Sequence, residues 1–241
     1  EDDATAATDA LRYVADDQSV DVKRSFVFQN MLIEGFGGIE VGVRQAKDGI
    51  DPSINLITWD RLFYDPHSCK QDFSDANYLG FITWMDEAEA KDKWPEKEKV
   101  IELTAEKLTS SASETFDDKP RWTYWADTKR KRVRIVTIYC KVKGTWNRSV
   151  YTLAGELEEL APSPYIDEEG KPECALIMQS AYVDRDNDRY GLVRDFITLQ
   201  DEVNKRRSKF LHLSNSRQMR ASRAFTGNAE AVRKEMSRPD G

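Results

Sequence analysis

Apolar residues recur at helical spacing over Ala4–Asp17 and Val22–Glu34, which predicts two short helices with Leu11, Val14, Val27, Met31 and Ile33 as their buried positions. Gly35, Gly37 and Gly38 end the second helix. Ile39, Val41 and Val43 then alternate with Glu40, Gly42 and Arg44, and this period of two predicts a half-buried strand. Ile54–Tyr64 and Tyr78–Met85 are further strand candidates, rich in β-branched and aromatic residues and separated by the turn-rich DPHSCKQDFSDAN.

Helical pattern returns over Asp86–Lys93 and Glu96–Lys107, broken at Trp94-Pro95 because proline starts a helix but cannot continue one. Thr109–Lys119 has the composition of a surface connection, and ordered packing is expected to resume over Trp122–Trp125. From Arg132 to Leu153 the pattern is that of a β-hairpin. Val133, Ile135, Thr137 and Tyr139 alternate with Arg134, Val136 and Ile138 before Gly144 reverses the chain. The acidic, proline-containing Glu156–Pro172 reads as a surface excursion leading to the apolar CALIM segment at Cys174–Met178.

After Asp188–Gly191, the run from Val193 to about Phe225 holds neither proline nor glycine. At about 1.5 Å per residue it would span roughly 50 Å as one helix, longer than a small domain is wide. Phe196, Leu199, Val203, Phe210 and Leu213 form one apolar seam, interrupted where Arg206 and Arg217 fall. Partial exposure or a neighbouring subunit is implied. The order of elements predicts an α+β fold: a mixed helix and antiparallel-sheet domain over residues 1–190, then a long projecting helix over 191–225.

Composition narrows the class. Hydrophobic residues make up 39% and charged residues 33% of the 241, as in a folded soluble chain. A net charge of −7 argues against a protein that coats nucleic acid over its whole surface, so any such contact is local. No run approaches the ~18 apolar residues of a membrane span, and Glu1–Val14 lacks the basic flank and apolar core of a signal peptide; a cytosolic or particle-borne location is expected. Cys69, Cys140 and Cys174, odd in number and widely spaced, are expected as free thiols. The chain has no initiating methionine and is expected to be a segment of a longer polypeptide.

One charge cluster opposes the sign of the whole. Arg194, Lys205, Arg206, Arg207, Lys209, Arg217, Arg220 and Arg223 stand against Asp195, Asp201 and Glu202, eight bases to three acids and a local charge of +5. Point charges on a helix suit a phosphate backbone contacted without reading of sequence. A solvated helix face, or pairing with an acidic neighbour, accounts for the same charges.

Other constellations are weak. Asp184, Asp186 and Asp188 imitate the first half of a calcium loop, but Arg189 stands where the glycine is required and Asp195 where a bidentate glutamate closes the site, so a polar turn is favoured. His67 and Cys69 share a loop without the second pair of ligands that zinc needs. The other histidine, His212, has no neighbours that single out a catalytic triad. With no GxxxxGK[ST], strand-following GxGxxG or HExxH, nucleotide hydrolysis, dinucleotide binding and zincin chemistry have no support. No catalytic residue, metal site or cofactor is expected.

Three segments resemble portal proteins of tailed bacteriophages, especially the short-tailed type. They are WDRLFYDPHSCKQDFSDANYLGFITW at Trp59–Trp84, YGLVRDFITLQDEVNKRRSKFLHLSNSRQ at Tyr190–Gln218, and the "E...RPDG" phrase of Ala229–Gly241. The resemblance implies a homo-oligomeric ring, dodecameric in the full-length protein, at one capsid vertex, through which double-stranded DNA is packaged and ejected. It implies the terminase large subunit, capsid and scaffolding proteins and head-completion or tail adaptor proteins as partners. Location would be the virion's portal vertex, and the host cytoplasm during assembly. Residues 1–190 would be wing, 191–225 stem, and 226–241 the start of the clip or a truncated tail. Two alternatives remain: a stand-alone DNA-binding or other structural particle protein, and a metal-dependent phage hydrolase using Asp184, Asp186 and Asp188.

Overall fold

The computed structural model describes residues 2–46, 49–106, 125–127, 130–215 and 227–236. The predicted connection over Thr109–Lys119 and the segment from Trp122 to Tyr124 lie outside them. The chain divides into two units, Glu1–Val193 and Arg194–Gly241.

The first unit opens with α1 (Asp2–Asp17) and α2 (Val20–Ile33). Gly35 terminates α2 as expected: its φ of +98° is open to glycine, and its amide returns to the Asn30 carbonyl. Gly37 and Gly38 do not end the helix. They lie inside β1 (Phe36–Ala46), where a Cβ on Gly37 would come within 2.9 Å of the Val27 carbonyl of α2. The expected burial of both helices is only partly found. Val14, Val27 and Met31 are half-buried, but Leu11 is 73% and Ile33 48% exposed. The cause is helix geometry: α2 turns Val20, Val27 and Met31 to one side, whereas Val22, Phe26 and Ile33 lie on another and reach the surface.

The run Ile54–Tyr64 is two strands, not one. β2 (Gly49–Ile57) pairs with β1, a 3-10 turn at Trp59–Arg61 follows, and β3 (Leu62–Tyr64) enters a different sheet beside β4 (Tyr78–Asp86). The turn satisfies its backbone locally, with the Arg61 amide on the Thr58 carbonyl. α3 (Glu87–Lys93) and α4 (Glu98–Glu106) break at Trp94 and Pro95 as predicted, and Lys91 ties them through Glu87 (3.0 Å) and Glu102 (2.9 Å).

β5 (Ala126–Asp127), β6 (Arg132–Val142), β7 (Thr145–Thr152) and β8 (Gly155–Pro162) complete the larger sheet, ordered β3-β4-β6-β7-β8 with β5 on β6. The β6–β7 hairpin closes on Lys143 and Gly144, both at positive φ, the geometry that matches the twist of its strands. Glu156–Pro172 is not wholly an excursion. Its first part is the edge strand β8, because Leu157 is buried while Glu158 pairs with Arg148 and accepts the Trp94 indole N–H at 2.9 Å.

β9 (Leu176–Ser180) then pairs with β1, giving a three-stranded sheet ordered β2-β1-β9, and β10 (Tyr182–Val183) with β11 (Arg189–Tyr190) forms a small hairpin. Leu176, Met178 and Ser180 are buried and alternate with exposed Ile177 and Gln179. In β1 the expectation is inverted. Gly38 and Gly42 face inward, against Leu62, Met178 and Tyr165, whereas Val41 and Val43 stand on the outer face, Val43 60% exposed. Glycine lets the two sheets approach, so the branched residues that mark the strand lie on its open side.

The core has two parts. Leu62, Phe73, Leu79, Phe81, Tyr139 and Met178 fill the space shared by the two sheets, with Cys174 packed against them and its thiol pushed up to about 12 by burial. Ala90, Trp94, Ile101, Val133, Ile135 and Val150 seat α3 and α4 on the larger sheet. The second unit holds most of α5 (Val193–Asn215) and α6 (Ala229–Met236). α5 covers 23 residues of the longer run predicted, and residues 216–226 lie outside those described.

Candidate nucleic-acid interface

α5 forms because nothing from Val193 to Asn215 interrupts a helix and its side chains support one another at a spacing of four: Gln200 donates to Asn204 at 3.1 Å, and Arg206 pairs with Glu202. Its apolar seam is real as a stripe and bare as a surface. Phe196, Leu199, Val203, Phe210 and Leu213 are all exposed.

The basic residues do not share one face. Arg194, Lys205 and Lys209 fall together, because eleven residues make three turns and four more return to the same side. Arg206 falls within the seam and interrupts it between Val203 and Phe210, and Arg207 lies at its edge. All five side chains are exposed, which suits a contact with phosphates but selects no partner. Arg217, Arg220 and Arg223 lie outside the described residues. α6 is capped by Asn228, whose side-chain oxygen accepts the amides of Glu230 (3.1 Å) and Ala231 (3.3 Å).

The aspartates at 184, 186 and 188 build a turn. Asp184 Oδ1 accepts the amides of Asp186 and Asp188, each at 3.0 Å, so this carboxylate spends its lone pairs on its own loop. His67 and Cys69 also fail to converge: His67 Nδ1 lies 3.2 Å from Asp65, and Cys69 Sγ lies 3.2 Å from the Asn187 side-chain oxygen. Among the described residues, no three His, Cys, Asp or Glu side chains could together hold a metal ion.

Sequence reasoning missed Arg189, which organises the loop between β3 and β4. Only 7% exposed, it donates to the Ser68, Lys70 and Asn187 carbonyls at 2.7–2.9 Å and to Ser68 Oγ at 3.0 Å. Its guanidinium lies over the Phe73 and Tyr64 rings, at 4.7 and 5.2 Å. Two carboxylates complete the loop. Asp75 accepts the Ser68 hydroxyl and the Cys69 amide, each at 2.7 Å, and Asp65 accepts the amides of His67 (2.9 Å) and Asn77 (3.0 Å) and the Asn77 side chain (2.8 Å). The only sequence signal for Arg189 was negative, a charge where a calcium loop needs glycine.

Burial alone would raise the Asp65 carboxyl, but hydrogen bonds from His67 and Asn77 hold it at about 2, below the ordinary 3.8. A carboxyl lowered in the folded state contributes stability above its unfolded value and loses it as pH falls through the folded one. Asp65→Asn is therefore expected to destabilise the protein at pH 7, with the gap to wild type narrowing between about pH 4 and pH 2, as urea midpoints across that range would show. A gap unchanged over the window would mean that the loop does not depend on the ionised form.

The whole chain, residues 1–241, matches the family model of the phage P22-like portal protein. No curated protein matches it. The match covers both units, including the Asp65–Asn77 loop and α5. The chain belongs to the P22-like phage portal protein family, whose role is a structural one at the portal vertex of the virion.

Proposed function

We propose that this chain is a subunit of a ring that serves as the head-to-tail channel, through which double-stranded DNA is packaged and later ejected. The observation that carries this reading is the family match over residues 1–241. In it, residues 1–190 form the wing, 191–225 the stem and 226–241 the start of the clip. The full-length ring is a dodecamer, assembled in the host cytoplasm with scaffolding and capsid proteins. Its other partners are the terminase large subunit and the head-completion or tail adaptor proteins. The subunit itself is a passive conduit, with no cofactor.

α5 supports the reading because it has what a tube of helices needs. The bare seam of Phe196, Leu199, Val203, Phe210 and Leu213 offers a neighbouring helix an apolar face. Arg194, Lys205 and Lys209, with Arg206 within the seam and Arg207 at its edge, are candidates for subunit or DNA contact, as are Arg217, Arg220 and Arg223. A channel must let DNA slide, so these contacts are weak and electrostatic.

Light scattering on the purified chain, at low and high salt and over a range of concentrations, is expected to give a ring mass. Duplex DNA added to it is expected to bind weakly and to dissociate well below about 0.5 M salt. A monomer at every concentration, holding DNA stoichiometrically through about 0.5 M salt, would sink the channel reading in favour of a stand-alone DNA-binding module.

A further inference from the structure

Little of the first unit's packing reaches α1. Every residue from Asp3 to Tyr13 is exposed, and only Val14 and Ala15, near its end, are half-buried within Asp3–Asp17. The Thr8 hydroxyl donates to the Ala4 carbonyl at 2.8 Å and Arg12 lies 3.6 Å from Asp9, contacts that stay inside the helix. Its 16 residues barely exceed the ~12–15 below which a helix without packing is marginal in water. Charge weakens it further. Five of the residues are aspartates, poor formers of helix interiors, and Asp16 and Asp17 put negative charge at the end where the helix dipole is already negative, with no base in the last turn.

The attachment of α1 is local and electrostatic. The chain leaves it through Ser19, whose left-handed φ of 50° separates α1 from α2. The Gln18 amide returns to the Val14 carbonyl and the Ser19 amide to that of Asp16, and the Val22 and Lys23 amides start afresh on the Ser19 carbonyl. Two residues before this break, the Asp17 carboxylate lies 3.7 Å from the Arg44 guanidinium of β1. Arg44 is positioned for it by Asp51, its direct cross-strand partner in β2, also at 3.7 Å. The charge of Asp17, which opposes the helix on its own, is therefore offset when α1 sits on the β1–β2 hairpin. All three side chains are about half exposed, which opens the contact to screening by salt. We infer that α1 is a detachable arm, pivoting at Ser19 and latched to the β1–β2 hairpin by Arg44, and that breaking the Asp17–Arg44 pair releases the arm and melts its helix.

Amide hydrogen exchange, followed by mass spectrometry on the full chain at about 20 mM and about 0.5 M salt, tests the arm and its latch separately. In the unmodified chain, α1 peptides are expected to exchange well ahead of those of β6, whose Val133, Ile135 and Tyr139 lie in the core. Arg44→Gln, at an exposed position, is expected to fold and to speed α1 exchange a further two- to fivefold or so at low salt, the range an exposed ion pair supplies, with β6 unchanged. At about 0.5 M salt that excess is expected to vanish, because the pair is already screened in the unmodified chain. Arg24→Gln is the control. It removes an exposed ion pair within α2, Arg24 to Asp21 at 2.8 Å, and is expected to leave α1 exchange as it was. Exchange of α1 as slow as that of β6 would overturn the arm. Fast exchange indifferent to Arg44→Gln, or quickened equally by Arg24→Gln, would overturn the latch. An Arg44→Gln effect of the same size at both salt concentrations would overturn the ion pair as its cause.

Discussion

Replacing Arg189 with methionine is expected to cost about 3 kcal/mol or more of folding stability, a large share of what holds a domain together. The guanidinium serves the Ser68, Lys70 and Asn187 carbonyls at once, and methionine can donate to none of them. Carbonyls left buried without a donor carry the desolvation cost of polar groups, and the attraction of the cation for the Phe73 and Tyr64 rings disappears with it. Arg189→Lys is expected to recover only part of the loss, because one ammonium cannot reproduce a planar fork aimed at several acceptors. Urea denaturation of the three proteins measures this directly. A loss below about 1 kcal/mol for Arg189→Met would mean that Asp65 and Asp75 hold the β3–β4 loop without the arginine.

Gly35→Ala is the second substitution with a large expected effect. Gly35 sits at φ +98°, and a Cβ there would lie 2.4 Å from the Tyr190 carbonyl carbon and 2.5 Å from its Cα and amide nitrogen. Backbone cannot swing aside as a side-chain tip can, and the Ala181 amide is anchored to the Gly35 carbonyl at 2.8 Å. On the other side of the same junction, a Cβ on Gly191 would meet the Leu32 carbonyl oxygen at 2.3 Å. The helix end and the strand end therefore cross where neither can carry a side chain. Gly144→Ala is the control, since Gly144 has φ +82° and open space around it. That control is expected to cost about 1 kcal/mol from backbone conformation alone, and Gly35→Ala about 3 kcal/mol. Equal losses of thermal midpoint for the two would show that the Tyr190 contact relaxes freely and would refute the close-approach argument.

Local chemistry made several elements readable. The β6–β7 hairpin was legible because a period of two and a Lys-Gly turn specify it within neighbouring residues. The break between α3 and α4 was legible because Pro95 has no amide to donate. The basic residues of α5 were legible as a cluster, but their division into two groups appears only once helix geometry is imposed on them.

The failures have a common cause. Val41 and Val43 identified a strand correctly and its buried face wrongly, because that face is chosen by which surface the second sheet can approach, and glycine permits the closer approach. Ile54–Tyr64 reads as one strand since nothing local reveals that its halves pair in different sheets. Arg189 looked like a flaw in a cation loop because two of the three residues whose carbonyls it serves, Ser68 and Lys70, lie about 120 residues earlier in the chain.

The sequence by itself determined most element types, the α+β class, the charge asymmetry of α5 and, through three motifs, the portal family. Each of these is written in residues close together, where propensity, periodicity and turn chemistry act. Only the tertiary structure decided which face of β1 is inside, how Arg189 locks the Asp65–Asn77 loop, and that Leu11 and Tyr13 of α1 stay exposed. Those outcomes depend on contacts between distant residues, and close packing settles them by shape and hydrogen-bond supply that no local pattern encodes.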